Sequence, residues 1–164
     1  MQQIIDLLNA QLDELASFSP SSDLRDVSIS NWSVGQQIEH TLIAISGMIL
    51  ALRKEHPGSG TREPNLYRDT VMETKTFPRG AIQAPDISLP SESPDSVFIT
   101  RLINKTRSRL GNPLEIDSKS TLIHPIMDVM YRDEALEFMT IHTAHHLAII
   151  REIVAASSAE SLNK

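Results

Sequence analysis

Phe138-Met139-Thr140-Ile141-His142-Thr143-Ala144-His145-His146-Leu147-Ala148-Ile149-Ile150 lies near the end of a 164-residue chain and reads as helix. At about 100° per residue, Ala135, Phe138, Met139, Ile149, Ile150 and Ile153 share one face. Glu134, Glu137, Arg151 and Glu152 share the opposite one. His142 and His146 fall in the middle of the apolar face, one turn apart, and His145 lies on its flank. Imidazoles at i and i+4 stand about 6 Å apart along the axis, a spacing that suits chelation of one ion. Two unpaired imidazoles in an apolar stripe would lose hydration with nothing in return. A shared metal offsets that loss. The expected helix spans residues 133–157, with 158–164 as a frayed tail.

Three more helices are expected upstream. Residues 2–17 carry the stripe Ile5, Leu8, Leu12 and Leu15. Residues 33–55 open with an S-x-x-Q capping box, Ser33 to Gln36, and stop before His56-Pro57. Residues 93–111 start with Ser93 as cap and Pro94 at the first helical position, with Phe98, Ile99, Leu102, Ile103, Thr106 and Leu110 as the buried face. Four long amphipathic helices in a chain the size of one domain predict an all-α, four-helix bundle over residues 1–157. No strand signal is strong; residues 81–89 are a weak extended candidate. The connection 57–92 is long and holds five prolines, at 57, 64, 78, 85 and 90. Loops of that length are uncommon in compact domains and are often lids or crossovers. A short extra helix is expected within it, at 65–75. A second connection, 112–132, precedes the last helix.

Composition narrows the chemistry. Fifteen basic against twenty-one acidic residues give a net charge of −6, which argues against a phosphate-neutralising nucleic-acid binder. Aromatic residues at 4% leave little for a base-stacking platform. There is no cysteine, so disulfides, thiolate-ligated metals and cysteine nucleophiles are excluded, and six histidines are the remaining borderline-soft ligands. The N-terminus lacks the basic start and apolar run of a secretory signal, and the longest uncharged apolar stretch, 41–52, is too short to span a bilayer. The expectation is a cytoplasmic protein. His40 is the natural third ligand. It lies on the second helix in line with Ala44, Gly47 and Ala51, small side chains expected to let a neighbouring helix approach. Three histidines leave a coordination position open, as a catalytic site needs. Imidazole nitrogen suits zinc, nickel, copper and iron, and zinc or nickel is the divalent ion expected.

Asn31-Trp32-Ser33-Val34-Gly35-Gln36-Gln37-Ile38-Glu39-His40, followed late by His142-Thr143-Ala144-His145-His146, resembles the DinB-like superfamily of bacterial metal-binding helical proteins. His124-Pro125 resembles one uncharacterised branch of it. The resemblance implies a divalent metal on His40, His142 and His146. It also implies a thiol-dependent S-transferase or a hydrolase, because some relatives use bacillithiol, mycothiol or glutathione. A small-molecule substrate and a homodimer are the partners expected.

Other candidates have plainer readings. His145 reads as a flank residue, His124 as a loop histidine and His56 as a structural group at a helix end. Trp32 reads as a hydrophobic staple before the Ser33 cap. Arg101, Lys105 and Arg109 recur every four residues and read as a solvated face. Glu39 points away from its neighbour His40 and is not assigned as a ligand. Arg62, Arg68, Lys75 and Arg79 on the long connection are candidates for holding the carboxylates of a small thiol. The zincin H-E-x-x-H pattern is absent, as are the Glu-x-x-His of di-iron bundles, a Gly-rich phosphate loop and a nucleophile elbow. The alternative to a metalloenzyme is a non-catalytic metal-binding or dimerising bundle.

Overall fold

The computed structural model describes residues 1–54, 62–80 and 83–162. Among them are five α-helices, α1 (Gln2–Ser17), α2 (Val34–Arg53), α3 (Leu66–Thr74), α4 (Ser96–Leu110) and α5 (Arg132–Leu162), and one antiparallel hairpin, β1 (Thr121–His124) with β2 (Asp128–Tyr131). The fold is mostly helical. α1 and α2 each pack against both α4 and α5, and the hairpin packs against α2 and α5.

Apolar spacing sets the four long helices. Ile5, Leu8, Leu12 and Leu15 of α1 are all buried, as are Ile38, Leu42, Ile45, Ile49 and Leu52 of α2. All but Ile5 join one core cluster with Ile99 and Ile103 of α4 and Leu136, Phe138 and Ile150 of α5. The capping box of α2 forms as the sequence requires. Gln36 N donates to Ser33 Oγ at 3.2 Å, and Ser33 N donates to Gln36 Oε1 at 3.0 Å. Ser33→Ala is expected to cost about 1 kcal/mol in urea unfolding, the ordinary worth of such a cap.

Elsewhere the structure departs from the sequence expectation. α4 starts at Ser96, not at Pro94, because the Asp95 carboxylate accepts from Phe98 N at 2.7 Å and leaves Ser93 and Pro94 outside. Phe98, expected in the core, is 42% exposed, and the buried row is Ile99, Ile103, Thr106 and Leu110. The last helix runs through Leu162, so the expected frayed tail is helical as far as the structure describes it. Residues 81–82 lie outside the described residues, and 83–89 hold no strand but a 3-10 turn at Asp86–Ser88.

The hairpin is the largest addition. Leu122 pairs with Met130, both buried, and Asp128 takes a left-handed φ of 58° where the chain turns back. The turn is held by side chains. Ile126 N and Met127 N donate to His124 Nδ1, at 3.2 and 3.1 Å. α3 clamps the same turn from outside: Asn65 Nδ2 donates to Ile126 O at 2.8 Å and Arg68 Nη1 to Met127 O at 3.3 Å. The short helix expected at 65–75 therefore has a visible task. Among the described residues, no helix is long and apolar enough to cross a membrane.

Candidate metal centre

His40 on α2 and His142 and His146 on α5 converge. Their Nε2 atoms sit 3.3 Å apart for His40 and His142 and 3.2 Å apart for His142 and His146. One ligand atom from each of the three lies within 4.8 Å of the others, and all three side chains are buried. The pairing of α2 with α5 brings together positions separated by 102 residues of sequence.

Backbone and side-chain partners fix the ring tautomers. His40 Nδ1 lies 2.7 Å from the Ser88 carbonyl, which can only accept, so Nδ1 carries the proton and Nε2 presents a lone pair. His146 Nδ1 lies 2.5 Å from Gln37 Oε1, and Gln37 Nε2 in turn donates to Ser30 Oγ at 2.9 Å, which orients the amide. His146 thus also presents an Nε2 lone pair. Two lone pairs are aimed at the third imidazole, and His142 Nδ1 is buried without a hydrogen-bond partner among the described residues.

Electrostatics keep the rings neutral. Burial, followed by repulsion from the neighbouring imidazoles, holds His142 and His146 well below the ordinary histidine range. Burial also lowers His40, against the opposing pull of the Ser88 carbonyl. Neutral imidazoles with converging lone pairs make an unfavourable set on their own and a suitable one around a cation. Two nitrogens bound tetrahedrally to zinc at 2.0–2.1 Å would lie about 3.3 Å apart. The His40–His142 and His142–His146 spacings match that figure, and all three ligand atoms lie within 4.8 Å of one another, so the residues fit a divalent ion.

Gln37 was not singled out in the sequence. Its signal was available: it precedes His40 by three residues and so shares a side of α2. A metal-binding imidazole usually donates its second N–H to such a partner, and losing the partner costs 10–100-fold in affinity. Gln37→Leu is therefore expected to weaken metal binding by about that factor, measured by competition with a chromophoric chelator.

The three histidines form part of the wall of a cavity of about 350 Å³. The long connection supplies another part, through Phe77, Pro78, Gly80, Ala84, Pro85 and Ser88. The Phe77 ring stands 5.7 Å from that of His142 and 5.2 Å from that of His145. His145 therefore lies on the flank, as its wheel angle requires, outside the converging set. Its pKa is lowered, by burial first and then by Arg79. His124 also lines the cavity, edge-on to Phe138 with ring centres 5.2 Å apart. Burial holds its pKa at about 4. Because its Nδ1 accepts two amides, its proton sits on Nε2, and no acceptor among the described residues meets that N–H.

Several sequence expectations need correction here. Ala44, Gly47 and Ala51 do not admit a closer helix; they line the cavity, and a Cβ built on Gly47 meets nothing within 4 Å. Trp32 is not a staple, because the residue one turn into α2 that it would meet is the polar Gln37. Its ring packs 5.0 Å from His40 at the cavity edge. The four basic residues of the connection are committed elsewhere. Arg62 pairs with Glu134 at 2.6 Å, Lys75 with Glu137 and Arg79 with Glu152, both at 2.7 Å. Arg68 is buried on the hairpin turn, and none of the four lines the cavity. Glu39 accepts from Ser91 N and Oγ, at 2.8 and 2.7 Å, and is no ligand. Arg101 and Lys105 are exposed and, with Arg109, stand apart from the site. His56 lies outside the described residues.

Compared with models of known protein families, with curated proteins and with solved structures, the chain matches none.

Proposed function

We propose that the chain is a metal-dependent enzyme of the DinB-like kind, a four-helix bundle with one divalent ion, zinc or nickel, on His40, His142 and His146. The observation that carries this reading is the convergence of three neutral Nε2 atoms beside a cavity large enough for a small molecule. When bound, the ion would make water or a thiol a nucleophile at neutral pH. The protein's own part is positional. Ser88 and Gln37 hold two imidazoles in the ligating tautomer, and Trp32, Phe77 and Phe138 exclude bulk water from the open side. The reaction is then transfer of a thiol to an electrophile, or hydrolysis of an ester or amide. Neither needs a protein cysteine.

The test compares native and metal-stripped protein against electrophile-plus-thiol and ester or amide panels. Activity that disappears on stripping and returns with zinc or nickel supports the enzyme. Metal bound one to one with no turnover in either panel supports the second reading, a non-catalytic metal-binding bundle that dimerises in the cytoplasm.

A further inference from the structure

The cavity carries a second message, in its walls away from the histidines. Among the described residues that line it there is no Lys, Arg, Asp or Glu. Its floor on α2 is Ile43, Ala44, Gly47, Met48 and Ala51, and its far side is Leu122 with Phe138. The rim is apolar as well: Ile87 and Ile123 are 84% and 73% exposed there. A more open depression shares Trp32, Gln83 and Ala84 with the cavity and adds the carboxylate of Asp86, which repels anions. Lys75 and Arg79, which flank the lining residue Phe77 in sequence, are held by Glu137 and Glu152.

From these observations we infer that the ligand has an apolar body and a single metal-binding head group, and is not a peptide-like thiol bearing carboxylates and an ammonium group. The inference rests on the metal reading above. Three neutral imidazoles around a divalent ion leave a net positive site at one end of a cavity with no other charge. One head group that ionises on binding is matched there. Any further charge on the ligand would be desolvated against a wall that has, among the described residues, no charged side chain to pair it. Away from the metal ligands, His124 adds a directional polar contact, an Nε2–H whose tautomer the hairpin amides fix, and the neutral Gln83 amide and His145 ring add to the polar part of the lining. The volume, near the lower end of the ~300–1,000 Å³ usual for ligand pockets, limits the body to a small ring or short chain.

The experiment uses the full chain loaded with cobalt(II), whose visible and near-ultraviolet absorption reports both metal uptake and thiolate coordination. The probes are 2-phenylethanethiol, cysteine and the tripeptide thiol glutathione. The expected result is one cobalt per chain and a thiolate band that titrates with 2-phenylethanethiol at a Kd on the order of 100-fold below that for cysteine or glutathione, the worth of burying one phenyl group. Gly47→Leu, which fills open space, should weaken the aromatic thiol by about tenfold or more and leave cobalt uptake unchanged. Gly47→Ala serves as the folded control and should alter neither. If cobalt binds but the charged thiols bind equally well or better, the inference about the ligand is overturned and the metal site stands. If the wild-type chain takes up no cobalt, both fall. Should Gly47→Leu fail to fold, the comparison of thiols on the wild-type chain still decides.

Discussion

His146→Ala is expected to lower divalent-metal affinity by two to three orders of magnitude. Structural zinc bound by four protein ligands is worth roughly 10–16 kcal/mol, so each ligand carries about 2.5–4 kcal/mol. At about 1.4 kcal/mol per tenfold, one lost imidazole removes most of the bound metal at micromolar ion. The partner groups sharpen the effect. Without the His146 ring, Gln37 Oε1 loses its buried donor, and His142 Nε2 keeps only His40 Nε2 as a neighbouring imidazole nitrogen. The same substitution at His56, which the sequence sets apart from the three, should leave metal content unchanged. Elemental analysis after purification without added metal reads both, and thermal unfolding with and without zinc gives a second measure. A wild-type chain that binds no metal, or a variant that retains a full equivalent, would defeat the assignment.

Acid is expected to destabilise the metal-free protein well above the pH at which carboxylates titrate. His124 shows the sign. Its pKa is about 4 in the folded chain, because burial disfavours the charged ring, against an ordinary value of 6.5. Above the ordinary value both states are neutral and the group has no effect. As pH falls below it, the unfolded chain takes up a proton that the folded chain refuses, and stability declines until the folded value is passed. The full loss for this one residue is on the order of 3 kcal/mol. His40, His142, His145 and His146 shift in the same direction and add to it. Urea midpoints should therefore fall steeply between about pH 6.5 and 4.5. His124→Asn keeps an acceptor for the hairpin turn but cannot titrate, so its slope over that window should be shallower. An equal slope would mean that His124 is solvated in the folded protein.

The sequence disclosed what local rules control. The Ser33 capping box, the stripe on α1 and the i, i+4 pair on α5 depend on residues within about three turns of one another, and each forms as the sequence requires. The start of α4 was misplaced by two residues because serine, proline and aspartate compete for the same end, and the aspartate carboxylate accepts the stronger hydrogen bond. The hairpin was invisible for a different reason. Its strands are four residues each, and its turn lacks the usual Asn-Gly signal. It is stabilised by the His124 ring and by Asn65 and Arg68, which lie 61 and 59 residues upstream of the carbonyls they hold and which no local pattern reports. At the site, the histidines were legible because imidazoles on an apolar face are costly. Gln37 was not, because a half-polar amide on a helix is ordinary until its partner 109 residues away is known. The seam of small residues reads in sequence as a packing surface, whereas in the structure it borders open space.

That seam bears on how the chain can change. Gly47 sits inside α2, where glycine costs about 0.5–1 kcal/mol relative to alanine. The backbone there has room for a side chain, so the deficit comes from no steric demand. Directed evolution for heat resistance alone would drift toward larger residues at Gly47, Ala44 and Ala51, each step gaining contacts and helix propensity. Such lineages would converge on a sturdier protein with a filled interior, while all three histidines remained in place. Libraries meant to alter which molecules enter should be drawn from the same positions, for the opposite purpose.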